Sequence, residues 1–255
     1  MNSSDIEPAV AIPKSPGPAN FDLTLLANFV HQIVNPLNGI AGTLDNLVEN
    51  VIEESRRPQR LNAARAQVEQ CITLLRNLAF LAQRGAEVKS EKRIVVLPQA
   101  IIESAMFYQE EGAINSVRIQ LEDRATQNRV TGHPELIRQV LMNIFDNCIK
   151  YGKFGSLVEV RQWIQKSTES ALITIRGDSK NPLSPNDMLH IFELGFRGAN
   201  ARKTVASGTG LGLYICKQIV ESQSGSISVQ SDGPSGILFT IRLPNGQSPG
   251  GFENG

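Results

Sequence analysis

HQIVNPL, residues 31–37, sets a histidine beside an apolar stripe and a proline one turn further on. Working outward from it, apolar side chains recur at Leu26, Val30, Ile33, Leu37, Ile40, Leu44, Leu47 and Val51 in alternating steps of four and three. That period is the a/d seam of a coiled-coil helix. After Arg56, Arg57 and Pro58 a second seam passes through Leu61, Ala64, Val68, Cys71, Leu75, Leu78 and Ala82, which predicts an antiparallel helical hairpin over residues 21–86. Two such arms cannot cover both seams alone, and a homodimer whose four helices share one core is the economical solution. His31 falls off the stripe, facing solvent. Pro36 removes an amide donor and collides with the carbonyl of Gln32, at a cost of about 3 kcal/mol, so a local bend is expected next to His31.

The rest of the chain follows a different pattern. Its 255 residues, 41% hydrophobic and 20% charged, suffice for two modest domains with real cores. Lys plus Arg and Asp plus Glu balance at 25 each, which gives no global drive toward nucleic acid or an anionic membrane. Cys71, Cys148 and Cys216 sit widely spaced in apolar stretches and read as reduced thiols of a cytoplasmic protein. No apolar run approaches the ~20 residues that span a bilayer, so no membrane segment is expected. Residues 1–20, with four prolines and no apolar period, predict a disordered leader, residues 87–92 a hinge, and 245–255 a flexible tail. Between hinge and tail, residues 93–244 are expected to fold as a sheet covered on one face by helices. Strands are predicted at Arg93–Leu97, Val117–Leu121, Leu157–Ile164, Ala171–Arg176, Ser226–Gln230 and Ile237–Leu243, with helices near 98–110, 134–150 and 210–223.

Three segments of this second domain carry polar chemistry. In NIFDNCIKYG, 143–152, Asn143 and Asn147 are one turn apart on a helix face, followed by Lys150 and Tyr151. Neither asparagine is a strong helix former, so the pair points to a cleft, although solvated asparagines are the ordinary alternative. GTGLGLYI, 208–215, puts Gly208, Gly210 and Gly212, with Leu211 among them, at the start of an apolar helix, where free amides and the dipole attract phosphate. IFELGFRG, 191–198, supplies Phe192, Phe196 and Arg197 ahead of the polar stretch that leads to the glycines.

Taken in this order, HQIVNPL, NIFDNCIKYG, IFELGFRG and GTGLGLYI resemble the four motif boxes of a histidine kinase core, and the resemblance covers roughly residues 22–243. It implies a dimerisation and phosphotransfer hairpin followed by an ATP-binding domain of the Bergerat fold, an α/β sandwich. It further implies ATP and Mg2+ as cofactors, His31 as the phosphorylated nucleophile, and a response-regulator receiver domain as acceptor of the phosphate. A separate or upstream sensor is a further implied partner. Carried over residue by residue, Asn147 would hold Mg2+, Asn143 would sit near the phosphates and Lys150 would neutralise them. Phe192 and Phe196 would anchor a lid over the nucleotide, and Asn35 would position water for dephosphorylating the regulator.

Two departures qualify those implications. Gln32 stands where the family has a carboxylate that orients the imidazole and accepts its proton. An amide accepts a hydrogen bond but is no base, so autophosphorylation is expected to be slow, or phosphate reaches His31 from elsewhere. Counting back from Phe192, Asp178 falls at the adenine-binding carboxylate, while the two glycines expected after it are Lys180 and Pro182. Weakened nucleotide binding is expected there. The alternative function is therefore a histidine phosphotransferase or pseudokinase docking dimer with little or no use of ATP.

Overall fold

The computed structural model describes residues 23–82, 91–198, 201 and 209–245. The expected leader, most of the hinge and nearly all of the tail lie outside the described residues, as does Gly208.

Helix α1, Leu23–Val48, runs through Pro36 without interruption. It stops where Asn50 takes a left-handed φ of 55°, and the chain turns through a single 3-10 turn, Glu54–Arg56, into α2, Arg57–Ala82. Arg57 ties the corner, donating from Nη2 to Asn50 Oδ1 at 2.9 Å. The arms approach closely at Gly39, where a Cβ would lie 2.6 Å from Gln67 Nε2.

On α2 the buried residues are Ala64, Cys71, Leu74, Asn77 and Leu81, so in its second half the stripe buried on this chain lies one position before the expected seam. The cause is the second domain. Leu74 and Leu81 join the same buried cluster as its core, so α2 turns that stripe toward it. The heptad positions Val30, Leu37, Leu44 and Leu75 remain 49–52% exposed on this single chain.

The second domain begins with β1, Arg93–Val96, then α3, Leu97–Met106, α4, Gln109–Asn115, and the strands β2, Arg118–Leu121, and β3, Arg129–Gly132. Helix α5, Pro134–Tyr151, opens on a proline whose missing N–H costs nothing in the first turn. There follow β4, Leu157–Gln165, β5, Ser170–Asp178, α6, Pro185–His190, α7, Gly212–Ser222, β6, Ser226–Asp232, and β7, Gly236–Pro244. Five strands form one sheet in the order β2-β4-β5-β7-β6, and β1 pairs with β3 separately. Only β2 and β4 run parallel; the other neighbours are antiparallel.

Strand alternation decides which side chains meet the helices. Val158, Val160, Ile173, Ile175, Phe239 and Ile241 point inward and pack with Ile137, Leu141, Ile144 and Phe145 of α5 and with Ile215 and Ile219 of α7. Glu159, Arg176 and Asp232 lie on the other face, where Arg176 bonds both acids. The six predicted strands and the helical hairpin are all present. The predicted helix near 98–110 is two helices, because the chain breaks at Phe107 and Tyr108, and β3 and α6 are additions.

Candidate functional site

A cavity of about 280 Å3 opens between α2, the exposed side of α5, the chain after β5 and the start of α7. At the α7 end, backbone geometry makes glycine obligatory at 210. Gly210 has φ +68°, and a Cβ there would lie 2.6 Å from the Gly195 carbonyl carbon and 2.7 Å from Phe196 O. That close packing sets the approach to α7, whose first residue is Gly212. Its early amides lack intrahelical acceptors and face an anion favourably.

Across from them, Asn143 is buried and donates from Nδ2 to Gly212 O at 3.3 Å and to Asn77 Oδ1 of the hairpin at 3.5 Å. Asn147 donates from Nδ2 to Asn143 O at 2.9 Å, which leaves its Oδ1 as a hard oxygen for a cation. Lys150 is bound to Asp146 at 2.7 Å. Burial works against its ammonium, but the charge and hydrogen bond of Asp146, with Glu111 behind, hold the Lys150 pKa above its ordinary value. Burial and the Asp146 charge together raise the carboxyl of Glu111. Tyr108 is pushed up by its deep burial, with the same acids contributing. The cation therefore sits in a pocket of acids and is available to an anion only as those contacts loosen.

The far end of the cavity is apolar on its walls, formed by Leu183, Ile191, Ile237 and Phe239, with Tyr151, Ser179 and Asn181 as its polar groups. Of the residues singled out in the sequence, Gln32, Asn143, Asn147, Lys150, Tyr151, Phe196, Arg197, Gly210 and Gly212 line the cavity. Leu211 and Phe192 pack into or against the core instead, and Phe196 alone of the two phenylalanines reaches the cavity.

Asp178 is a correction. It shares the outer face of β5 with Arg176, which donates to it at 3.3 Å, and Ser235 Oγ lies 3.5 Å away. Counting back along the sequence preserved its distance from Phe192 but not its strand parity. Gly177 takes the inward position, where a Cβ would meet Val158 at 3.5 Å and Cys148 at 3.9 Å. Lys180 is exposed.

On the hairpin side, His31 and Asn35 are exposed and do not line the cavity, whereas Gln32 does. The Oε1 of Gln32 is buried and accepts no hydrogen bond among the described residues. Sequence reasoning missed Asn77, which is 4% exposed and accepts from Gln139 Nε2 at 2.9 Å. It also missed Glu69, Glu111 and Asp146. The i,i+4 spacing of Asp146 and Lys150 was a legible signal; a buried asparagine in an otherwise amphipathic helix was not.

Hairpin and cavity together define a phospho-acceptor helix pair joined to a nucleotide-binding α/β domain. Residues 23–87 match the model of the His Kinase A (phospho-acceptor) domain, and residues 132–247 match that of the Histidine kinase-, DNA gyrase B-, and HSP90-like ATPase. The sensor protein KdpD of Clostridium acetobutylicum is 26% identical over 86% of this chain and 24% of its own length. SrrB of Staphylococcus aureus is 26% identical over 86% of this chain and 37% of its own. The chain thus spans a quarter to somewhat over a third of the curated relatives it matches. The histidine kinase AdeS of Acinetobacter baumannii shares the fold, with a TM-score of 0.57 at 19% identity over 85% of this chain and 98% of that one. The chain belongs to the sensor histidine kinases, of which it holds the core. No helix among the described residues is long and apolar enough to cross a membrane.

Proposed function

We propose that this chain autophosphorylates His31 from ATP and passes the phosphate to an aspartate of a response-regulator receiver domain. The observation that carries this reading is the shared cavity. Its wall joins Asn143, Asn147, Lys150 and the Gly210–Gly212 turn of one domain to Gln32, the neighbour of His31, in the other. In the step itself a lone pair of the neutral imidazole forms the N–P bond as the bond to the β,γ-bridging oxygen breaks, ADP leaves, and the proton on the other ring nitrogen passes to solvent because Gln32 is no base. Glycine amides and Lys150 would stabilise charge on the transferring group. Asn147 fits Mg2+ through its carboxamide oxygen, and the cation would take its remaining ligands from the phosphates and water. A cation held there would offset the triphosphate charge beside Asp146 and Glu111.

His31 is one residue away from the wall and faces outward, so transfer requires the ATPase domain to swing along the hairpin or the histidine of a second copy to enter. The exposed stripe of Val30, Leu37, Leu44 and Leu75 suits that second copy, which completes a four-helix bundle. Light scattering checks this: a dimer is expected, and Leu44→Glu is expected to give monomer. The free thiols Cys71, Cys148 and Cys216 favour a cytoplasmic setting. Asn35, exposed on the same helix, would hold water for phosphatase action on the regulator.

A second reading, a relay that takes phosphate from a phosphorylated regulator, is favoured by the outward turn of Asp178. Incubation with γ-labelled ATP and Mg2+ separates the two. Acid-labile label that disappears in His31→Ala and in Asn147→Ala supports the kinase. A folded dimer that takes no label from ATP but accepts it from a phosphorylated receiver domain supports the relay.

A further inference from the structure

Carboxylates from three helices meet where the hairpin rests on the ATPase domain. Glu69 of α2, Glu111 of α4 and Asp146 of α5 line the same cavity, to which α2 also contributes Gln70 and Thr73. The cations around them are already engaged. Lys150 lies 2.7 Å from Asp146, Arg65 reaches Glu69 at 3.2 Å and Glu110 at 3.4 Å, and Arg76 turns to Met142 Sδ at 3.9 Å. Among the described residues no ion pair holds Glu111.

Burial works most strongly against an ionised Glu111, and the charges of Asp146 and Glu69 add to it, while Lys150 opposes them. Tyr108, at the start of the same helix, is 4% exposed and stays a neutral phenol, and Tyr151 lies beyond Lys150 on α5. Asp146 and Lys150 belong to the same domain as Glu111 and remain with it. Glu69 and the α2 wall belong to the hairpin. Lifting the hairpin away removes one negative charge and admits water, so the Glu111 carboxyl becomes the more acidic.

We propose that docking of the hairpin on the ATPase domain takes up a proton at Glu111, which makes the junction a pH-sensitive latch that acid closes and alkali loosens. The inference stands whether or not the cavity holds ATP. The docked chain keeps the carboxyl proton to higher pH than the undocked one. Docking is therefore at full strength below the undocked value, near the ordinary 4.5, and weakens as pH rises through the raised docked value. Between the two, one proton changes the ratio of undocked to docked chains by up to about tenfold per pH unit.

Hydrogen–deuterium exchange of the full chain between about pH 5 and about pH 8, without nucleotide and with EDTA, tests it once each rate is divided by that of the unstructured peptide. Protection in peptides covering 74–82 and 134–147 is expected to fall at least about threefold across that range, while β4 and β5 stay unchanged. Glu111→Gln, neutral at every pH, is expected to stay docked with a flat profile. Glu69→Gln, on the hairpin, is expected to reduce the slope, and exposed Glu110→Gln to leave it as in wild type. A flat wild-type profile, a loss of protection shared equally by β4 and β5, or a slope that survives in folded Glu111→Gln overturns the proposal. Should Glu111→Gln not fold, a slope unaltered in Glu69→Gln overturns it instead.

Discussion

Replacing Asn77 by leucine, close to it in shape, tests how the hairpin is held to the ATPase domain. Asn77 Oδ1 accepts from Gln139 Nε2 at 2.9 Å and from Asn143 Nδ2 at 3.5 Å. Gln139 is half-buried and turns to water at little cost. Asn143 is 3% exposed and keeps Gly212 O, so one of its N–H groups loses its oxygen partner at a site with little solvent access. An orphaned buried donor costs about 1–3 kcal/mol, and the lower half of that range applies because the lost bond is long. A loss of one to two kcal/mol multiplies the undocked population by roughly 5–30. Among the described residues, the other polar ties across this junction, Arg76 to Met142 Sδ at 3.9 Å and the exposed Arg65–Glu110 pair at 3.4 Å, are too weak to compensate. Hydrogen–deuterium exchange should therefore quicken in peptides covering 74–82 and 134–147 while the sheet strands β4, β5 and β7 stay protected. Unchanged exchange at the junction in a folded Asn77→Leu chain would refute the assignment of Asn77 as the tie.

Three further outcomes follow from the same geometry. Gly210→Ala forces a side chain onto φ +68° and into Gly195 and Phe196, so nucleotide binding should fall by at least tenfold, about 1.4 kcal/mol, in titration calorimetry; wild-type affinity would mean the turn yields. Gln32→Glu supplies a base and should speed label uptake by about a hundredfold, read as initial rate, whereas an unchanged rate removes residue 32 from the chemistry. Glu111 has a folded-state pKa above its ordinary 4.5, so the native state binds the extra proton and stability falls as pH rises through that raised value. Glu111→Gln should accordingly raise Tm at pH 7, with the gain vanishing below about pH 4; a gain equally large in acid would mean packing, not charge, was relieved.

The parts of this molecule that were legible in the sequence are those governed by period and by backbone constraint. Heptads gave the hairpin, alternation gave six strands, and Gly210 stood out as a glycine at a helix entry, for which the structure supplies a backbone reason, a left-handed φ packed against Gly195 and Phe196. The errors occurred where two constraints compete at one residue. Seam counting marked Leu75 and Leu78, and the ATPase domain additionally recruits Leu74, Asn77 and Leu81, a choice made between domains that no local pattern records. Motif spacing put Asp178 in the cavity, yet alternation in β5 turns it outward, since Ile173 and Ile175 fix the inward parity. Had strand parity been set against motif spacing, Gly177 rather than Asp178 would have been assigned the inward place.

Asn77 also links the two domains energetically, because the cavity and a second groove of about 440 Å3 lie on either side of it, both lined by Thr73, Asn77 and Asn143. The Asn77–Asn143 contact is thus a partition between nucleotide and hairpin. A nucleotide that draws Asn143 toward its phosphates must loosen that contact, and loosening it must, by linkage, favour the nucleotide by the same factor. Docking and binding then compete for one carboxamide. Under the proposed function, nucleotide binding would itself favour release of the domain, one of the two routes by which the outward-facing His31 could reach the phosphate. The competition makes Asn77→Leu a two-way test: the variant that exchanges faster at the junction should also bind ATP more tightly. Faster exchange with unaltered affinity would mean that Asn77 holds the domains together without answering to the nucleotide.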